Sequence, residues 1–194
     1  MPSKKRVILI SSDHGEEQEF IDHLCQSSDM QETLVLWEEI SPLACARGWE
    51  SPSLKLLASA VYAVLAERDP STIPEMLEYR GLRNVDEFWY SIESIFKQLG
   101  ETQSPRNVIA RYSLPVLDRL LESGSVYEIF SYLARLRDTS LLEIIRCSDH
   151  QKIIAIVGNQ HIDNLLRELV DYEVEVYDIQ HIYLFSGMTS KTLL

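Results

Sequence analysis

The sequence predicts an α/β protein: a small, mostly parallel sheet flanked by helices, with an all-helical subdomain inserted into it. Three observations predict it. Short β-branched runs stand at both ends of the chain, at Val7-Ile8-Leu9-Ile10, Thr33-Leu34-Val35-Leu36-Trp37 and Ile153-Ile154-Ala155-Ile156-Val157; continuous apolar runs suit strands buried on both faces. Helix-type spacing separates or follows these runs, which gives strand–helix–strand crossover units. From about Ser51 to Cys147 strand patterning stops, and helix starts and stops follow one another. The expected division is an α/β core from residues 1–50 and 150–185, a helical insertion at 51–148, and a loose C-terminal tail at 186–194.

Taken in order, the first strand ends at Ser11-Ser12-Asp13-His14, and Glu16, Glu17 and Glu19 then favour a helix N-terminus through the macrodipole. Phe20, Ile21, Leu24 and Cys25 give that helix one apolar face. Pro52 opens the next helix, with Leu54, Leu57, Ala58, Val61, Val64 and Leu65 along it, and Asp69-Pro70 breaks it. Asn84-Val85-Asp86-Glu87 has the form of a capping box, followed by Val85, Phe88, Trp89, Ile92, Phe96 and Leu99 at helical spacing and stopped by Gly100. Ser125 with Glu128, and Ser140 with Glu143, repeat that logic before two further predicted helices. Beyond Lys152 the strand pattern returns. Gly158-Asn159-Gln160-His161 leads into a helix whose inner face is read as Ile162, Leu165, Leu166, Leu169 and Val170. Tyr172 to Tyr177 alternates as a half-exposed strand does, and Ile182–Phe185 is a further short strand candidate.

Composition excludes several classes. With 18 basic against 30 acidic residues the formal net charge is −12, which argues against binding a phosphate backbone and so against nucleic acid as a partner. Cys25, Cys45 and Cys147 are scattered and form no CxxC pair, so a reducing, cytoplasmic location is expected. The basic start lacks an apolar signal core, and the apolar helix from Leu54 to Ala66 is too short for a membrane span. There is no GxGxxG, P-loop or GxSxG elbow, which sets aside dinucleotide, nucleoside triphosphate and serine-hydrolase readings.

What remains is a repeat of context. Two buried strands each run into a turn that carries a histidine near the start of a helix, His14 after the first and His161 after Val157. In parallel sheets ligands bind outside the carboxyl ends of the strands, so both histidines fall at the edge where a site is expected. Glu38 and Glu39 end the second strand and reach the same edge. Two imidazoles and a carboxylate have the donor chemistry for a divalent transition metal, or for shared acid–base work. The bland alternative is a set of solvated strand-end residues.

These two turns resemble the erythromycin-esterase / TraB / Tiki / ChaN-like superfamily. Gly158-Asn159-Gln160-His161 is similar to its second GxxH turn, His14-Gly15 with Glu19-Phe20 to its first histidine segment, and Leu34-Val35-Leu36-Trp37-Glu38 to the strand that delivers the acidic group. The resemblance implies a metal-dependent hydrolase-like protein acting on an ester or amide of a small molecule or peptide. His14, His161 and Glu38 would be its catalytic residues, and His14, His161 and Glu39 its metal ligands. Ser11-Ser12-Asp13-His14 departs from the pattern in lacking the leading glycine, and Ser11 stands where the esterases carry glutamate. That departure motivates the alternative: a non-catalytic adaptor or effector that keeps the fold and uses its acidic charge on a basic protein partner.

Overall fold

The structure is a computed structural model and describes residues 4–12, 32–38 and 46–179. Strands β1 (Arg6–Ser12), β2 (Thr33–Trp37), β3 (Ala46–Gly48), β4 (Lys152–Gly158) and β5 (Glu173–Asp178) form one all-parallel sheet in the order β3-β2-β4-β1-β5. The described helices are α1 (Pro52–Arg68), α2 (Ile73–Tyr79), α3 (Val85–Gln98), α4 (Pro105–Tyr112), α5 (Pro115–Ser123), α6 (Val126–Cys147) and α7 (Asn159–Glu168), with a 3-10 turn at Pro70–Thr72. By its contacts the chain divides into a sheet unit, Met1–Glu50 with Asp138–Leu194, and a helical unit, Ser51–Arg137. The dividing point lies within α6. The predicted first helix after Asp13, the Ile182–Phe185 strand candidate and the 186–194 tail fall outside the described residues.

In the sheet unit β4 is the central strand. Ile154 stands opposite Ile8 of β1 on one side and Val35 of β2 on the other, and Ala155 opposite Leu9 and Leu36. Residues two apart share a face, so Val7, Leu9, Leu36, Ile153, Ala155 and Val157 meet Leu141, Leu142 and Ile145 of α6 and Leu165 and Leu169 of α7. The alternate set, Ile8, Ile10, Val35, Trp37, Ile154 and Ile156, is equally buried. Burial on both faces is the reason these strands read as unbroken apolar runs. The edge strand β5 alternates in its letters but not in its burial: Val174 is partly buried, while Val176 on the same face is 42% exposed. β3 is three residues, Ala46-Arg47-Gly48, and carries no apolar pattern by which to find it.

Local chemistry fastens the strand ends. Lys5 Nζ donates to the carbonyls of Ile145 (2.9 Å) and Ser148 (2.6 Å), satisfying acceptors at the C-terminal end of α6. On β1 and β5, Arg6 Nε and the Tyr177 hydroxyl both donate to the Glu175 carboxylate at 2.6 Å. The Arg6 hydrogen bond, then that of Tyr177, holds Glu175 below the usual carboxylate range.

In the helical unit α1 is buried on all sides from Leu56 to Ala66, which makes it the central helix of that unit. Asn84 caps α3 through the Glu87 N–H at 2.9 Å, while the Glu87 carboxylate accepts from Arg83 N rather than from Asn84. Ser125 and Glu128 make the full reciprocal box at the start of α6. Ser140 and Glu143 start nothing. They lie inside α6, because the apolar stripe runs through them and no Gly or Pro occurs between Val126 and Cys147. No helix among the described residues is long and apolar enough to cross a membrane.

Candidate functional site

Parallel pairing brings the carboxyl ends of β1, β2 and β4 to one edge. Ser12 is in register with Gly158, and Trp37 with Ile156. The chain therefore leaves β2 into Glu38 beside the point where β4 turns through Gly158 into α7. His161 sits in the first turn of α7, one helical step before Leu165 and two before Leu169, and is 0% exposed. It occupies a core position in the apolar stripe of that helix. Leu166 and Val170, predicted to share the inner face, are instead 40% and 70% exposed. The stripe is narrower than the sequence suggested and begins with the imidazole.

Three side chains surround the His161 ring. His161 Nδ1 lies 2.5 Å from Asp138 Oδ1, with both residues fully buried. Asn164, one turn along α7, donates its amide N–H to Asp138 Oδ2 at 2.6 Å. An amide nitrogen only donates, so Asp138 Oδ2 accepts, and the tautomer that pairs with a carboxylate Oδ1 is the one with the proton on His161 Nδ1. That hydrogen bond fixes the ring's orientation and turns Nε2 toward Glu38, whose Oε1 is 3.4 Å away. Glu38 is itself held, since its Oε2 accepts from the Gly158 N–H at 3.0 Å. Trp49 closes one side, edge-on to the imidazole at 5.5 Å between centroids, with its indole N–H donated to the Ile156 carbonyl. Gly158 has φ −64° and ψ 151°, an extended conformation open to any residue, so its backbone N–H matters here rather than its flexibility.

Of the residues that the sequence singled out, Glu38 and His161 are brought together at the carboxyl edge of the sheet. His14 and Glu39 lie outside the described residues. His150, at the amino end of β4, is exposed and donates its backbone N–H to the Ser148 hydroxyl. Sequence reasoning missed Asp138, Asn164 and Trp49. Asp138 had a signal: Ala134, Asp138, Leu141 and Ile145 follow at helical spacing, so a carboxylate interrupts an apolar stripe. Buried charges of that kind are rare unless paired.

Chemically, the arrangement can do two things. It can carry an imidazolium between two carboxylates. Alternatively, with Nε2 deprotonated, it can offer one nitrogen and one oxygen to a shared cation. Two atoms bound to one tetrahedral metal at about 2.0–2.2 Å stand about 3.3–3.6 Å apart, which the Nε2–Oε1 spacing matches. Among the described residues no group of three or more His, Cys, Asp and Glu side chains is placed to hold a metal. Comparison with protein-family models, with curated proteins and with solved structures returned no match.

Proposed function

We propose that the chain is a metal-dependent hydrolase-like protein whose metal site is built on His161 and Glu38, with ester or amide substrates. The observation that carries this reading is the pairing of an imidazole Nε2 and a carboxylate Oε1 at 3.4 Å, with Asp138 on the other ring nitrogen. Metal-bound histidines typically donate their second N–H to a carboxylate, which fixes the tautomer and raises ligand basicity. Asp138 is in that position, and Asn164 and the Gly158 N–H orient the two carboxylates. His14 is the sequence candidate for a third ligand. A bound divalent metal would act as a Lewis acid and supply water with a pKa lowered to about 7. The chain's own part is to place the hydrogen bond of Nδ1 on Asp138, which leaves Nε2 as the ligating nitrogen, to hold Glu38 Oε1 beside it, and to keep the pair buried at the ends of β2 and β4.

The test uses untagged protein purified without added metal. Elemental analysis is expected to find a divalent metal, and metal addition to apo-protein is expected to raise Tm. Glu38→Gln, which keeps the shape of the side chain, is expected to lose both effects. No bound metal together with no metal-dependent Tm shift overturns the reading.

One observation favours the second reading, that of a non-catalytic interaction protein. His161 is fully buried and Glu38 is 5% exposed, as suits an internal brace. In that case Glu38→Gln and wild type respond to metal alike, and the variant differs only in stability.

A further inference from the structure

We propose that the groove between α1 and α3 of the helical unit binds a basic amphipathic helix of a partner protein. The groove has a volume of about 600 Å³ and is open to solvent. Its apolar floor is Trp89, Ile92 and Phe96 on α3 with Ala63 of α1, of which Trp89 and Phe96 are partly exposed and Ile92 and Ala63 are buried beneath them. These α3 positions recur at i, i+3 and i+7, a stripe about 10 Å long at 1.5 Å rise per residue. Helix-in-groove recognition reads the same spacing, with two or three apolar anchors from the partner.

The rim decides the charge of the occupant. Three glutamates, Glu67, Glu93 and Glu101, line the groove against one lysine, Lys97. Glu101 is engaged by Arg111, whereas the Glu67 and Glu93 side chains are exposed. A chain with a net charge of −12 repels a second copy of itself at such a rim. The chemistry recognised is Lys or Arg flanking Leu- or Phe-type anchors on one helical segment.

The probe is a short synthetic leucine–lysine peptide with an amphipathic pattern, titrated calorimetrically into the full chain at low and high salt. Its leucine–glutamate counterpart serves as the control. Wild type is expected to bind the lysine peptide, more weakly as salt rises, with a change in Trp89 fluorescence. The Glu67→Lys/Glu93→Lys double variant is expected to bind about tenfold more weakly. Asp118→Lys/Glu122→Lys makes the same change in net charge on exposed positions away from the groove and is expected to bind as wild type does. All four positions are exposed, and circular dichroism verifies that each variant is folded. Equal loss in both double variants, equal binding of the glutamate peptide, or no binding at all overturns the proposal. So does self-association in sedimentation that Glu67→Lys/Glu93→Lys abolishes, because the groove then belongs to a second copy.

Discussion

Asp138 and His161 meet at 2.5 Å with neither side chain exposed, although 23 residues separate them and they sit on different helices. A carboxylate on α6 thereby fixes the ring that α7 delivers to the end of β4. Asn164 accompanies His161 on α7 and fills the second carboxylate oxygen, so the contact is specified from both sides.

Asp138→Ala is expected to destabilise the protein by about 3–5 kcal/mol, since it strands His161 Nδ1–H and the Asn164 amide in a buried place. His161→Ala in metal-free buffer is expected to cost about 1–3 kcal/mol, because it leaves the Asp138 carboxylate short of a donor. The cost follows from the complete burial of the ring. Urea unfolding of both single variants and of the double variant checks the pair. The double variant should cost well under the sum of the singles, and strict additivity would show that the two residues are not coupled.

Asp138→Asn separates positioning from bulk stability. It keeps the side-chain volume but weakens the hydrogen bond that fixes the His161 tautomer. If His161 ligates a metal, affinity should fall about 10- to 100-fold, measured by competition with a chromophoric chelator. An unchanged affinity in a folded Asp138→Asn variant would detach Asp138 from the metal.

Glu175 gives the molecule a small acid-sensitive element. Its pKa is held below the ordinary 4.5, first by the hydrogen bond from Arg6 and then by that from Tyr177. A depressed carboxylate contributes stability that is complete above its unfolded pKa and lost as pH falls through the folded one. Arg6→Ala should therefore flatten that loss: its deficit is about 0.5–1 kcal/mol at neutral pH for this partly exposed pair and shrinks as pH falls below about 5, where the wild type loses the same contribution. Thermal melts at pH 7 and pH 4 measure it; if the Arg6→Ala deficit is the same at both values, the assignment fails.

Gly158 is replaceable where a turn glycine would not be. A Cβ there would stand 2.6 Å from Gln160 Oε1, the far end of a flexible side chain, and the extended backbone suits alanine. In a Gln160→Ala background, Gly158→Ala should raise stability by about 0.4–1 kcal/mol by reducing unfolded-state entropy. Gly158→Pro should do the opposite, because it deletes the N–H that Glu38 accepts. Denaturant midpoints of the two variants should move in opposite directions, and a destabilising alanine would show that this turn needs glycine for another reason.

The sheet was legible because its central strands are buried on both faces, and such burial leaves continuous β-branched runs in the letters. The same logic failed for β3, because Ala46-Arg47-Gly48 is three residues long and contains no apolar run. Glu38 and His161 were found because each directly follows a recognisable strand, and parallel register carries both to one edge. Asp138 was not found because its partner lies on another helix and its neighbours Arg135 and Arg137 disguise it as part of a solvated charge run. Only the interrupted apolar stripe of α6 betrays it. The false helix start at Ser140 has the same root: a capping pair was weighed without the continuity of the surrounding stripe.

The place of β4 in the sheet sets the timetable of synthesis. β1 and β2 are not neighbours in the sheet; each pairs with β4, which begins at Lys152, well over a hundred residues after either strand ends, or roughly 6–30 s at ordinary elongation speeds. Until then Val7–Ile10 and Val35–Trp37 have no central strand to join, while the helices of Ser51–Arg137 complete their own local contacts. The nascent chain thus carries two adhesive strand segments through most of its translation. Acidic residues follow each of them in the sequence, Glu16, Glu17 and Glu19 after the first and Glu38 and Glu39 after the second, the placement that opposes aggregation of an apolar strand during such a wait.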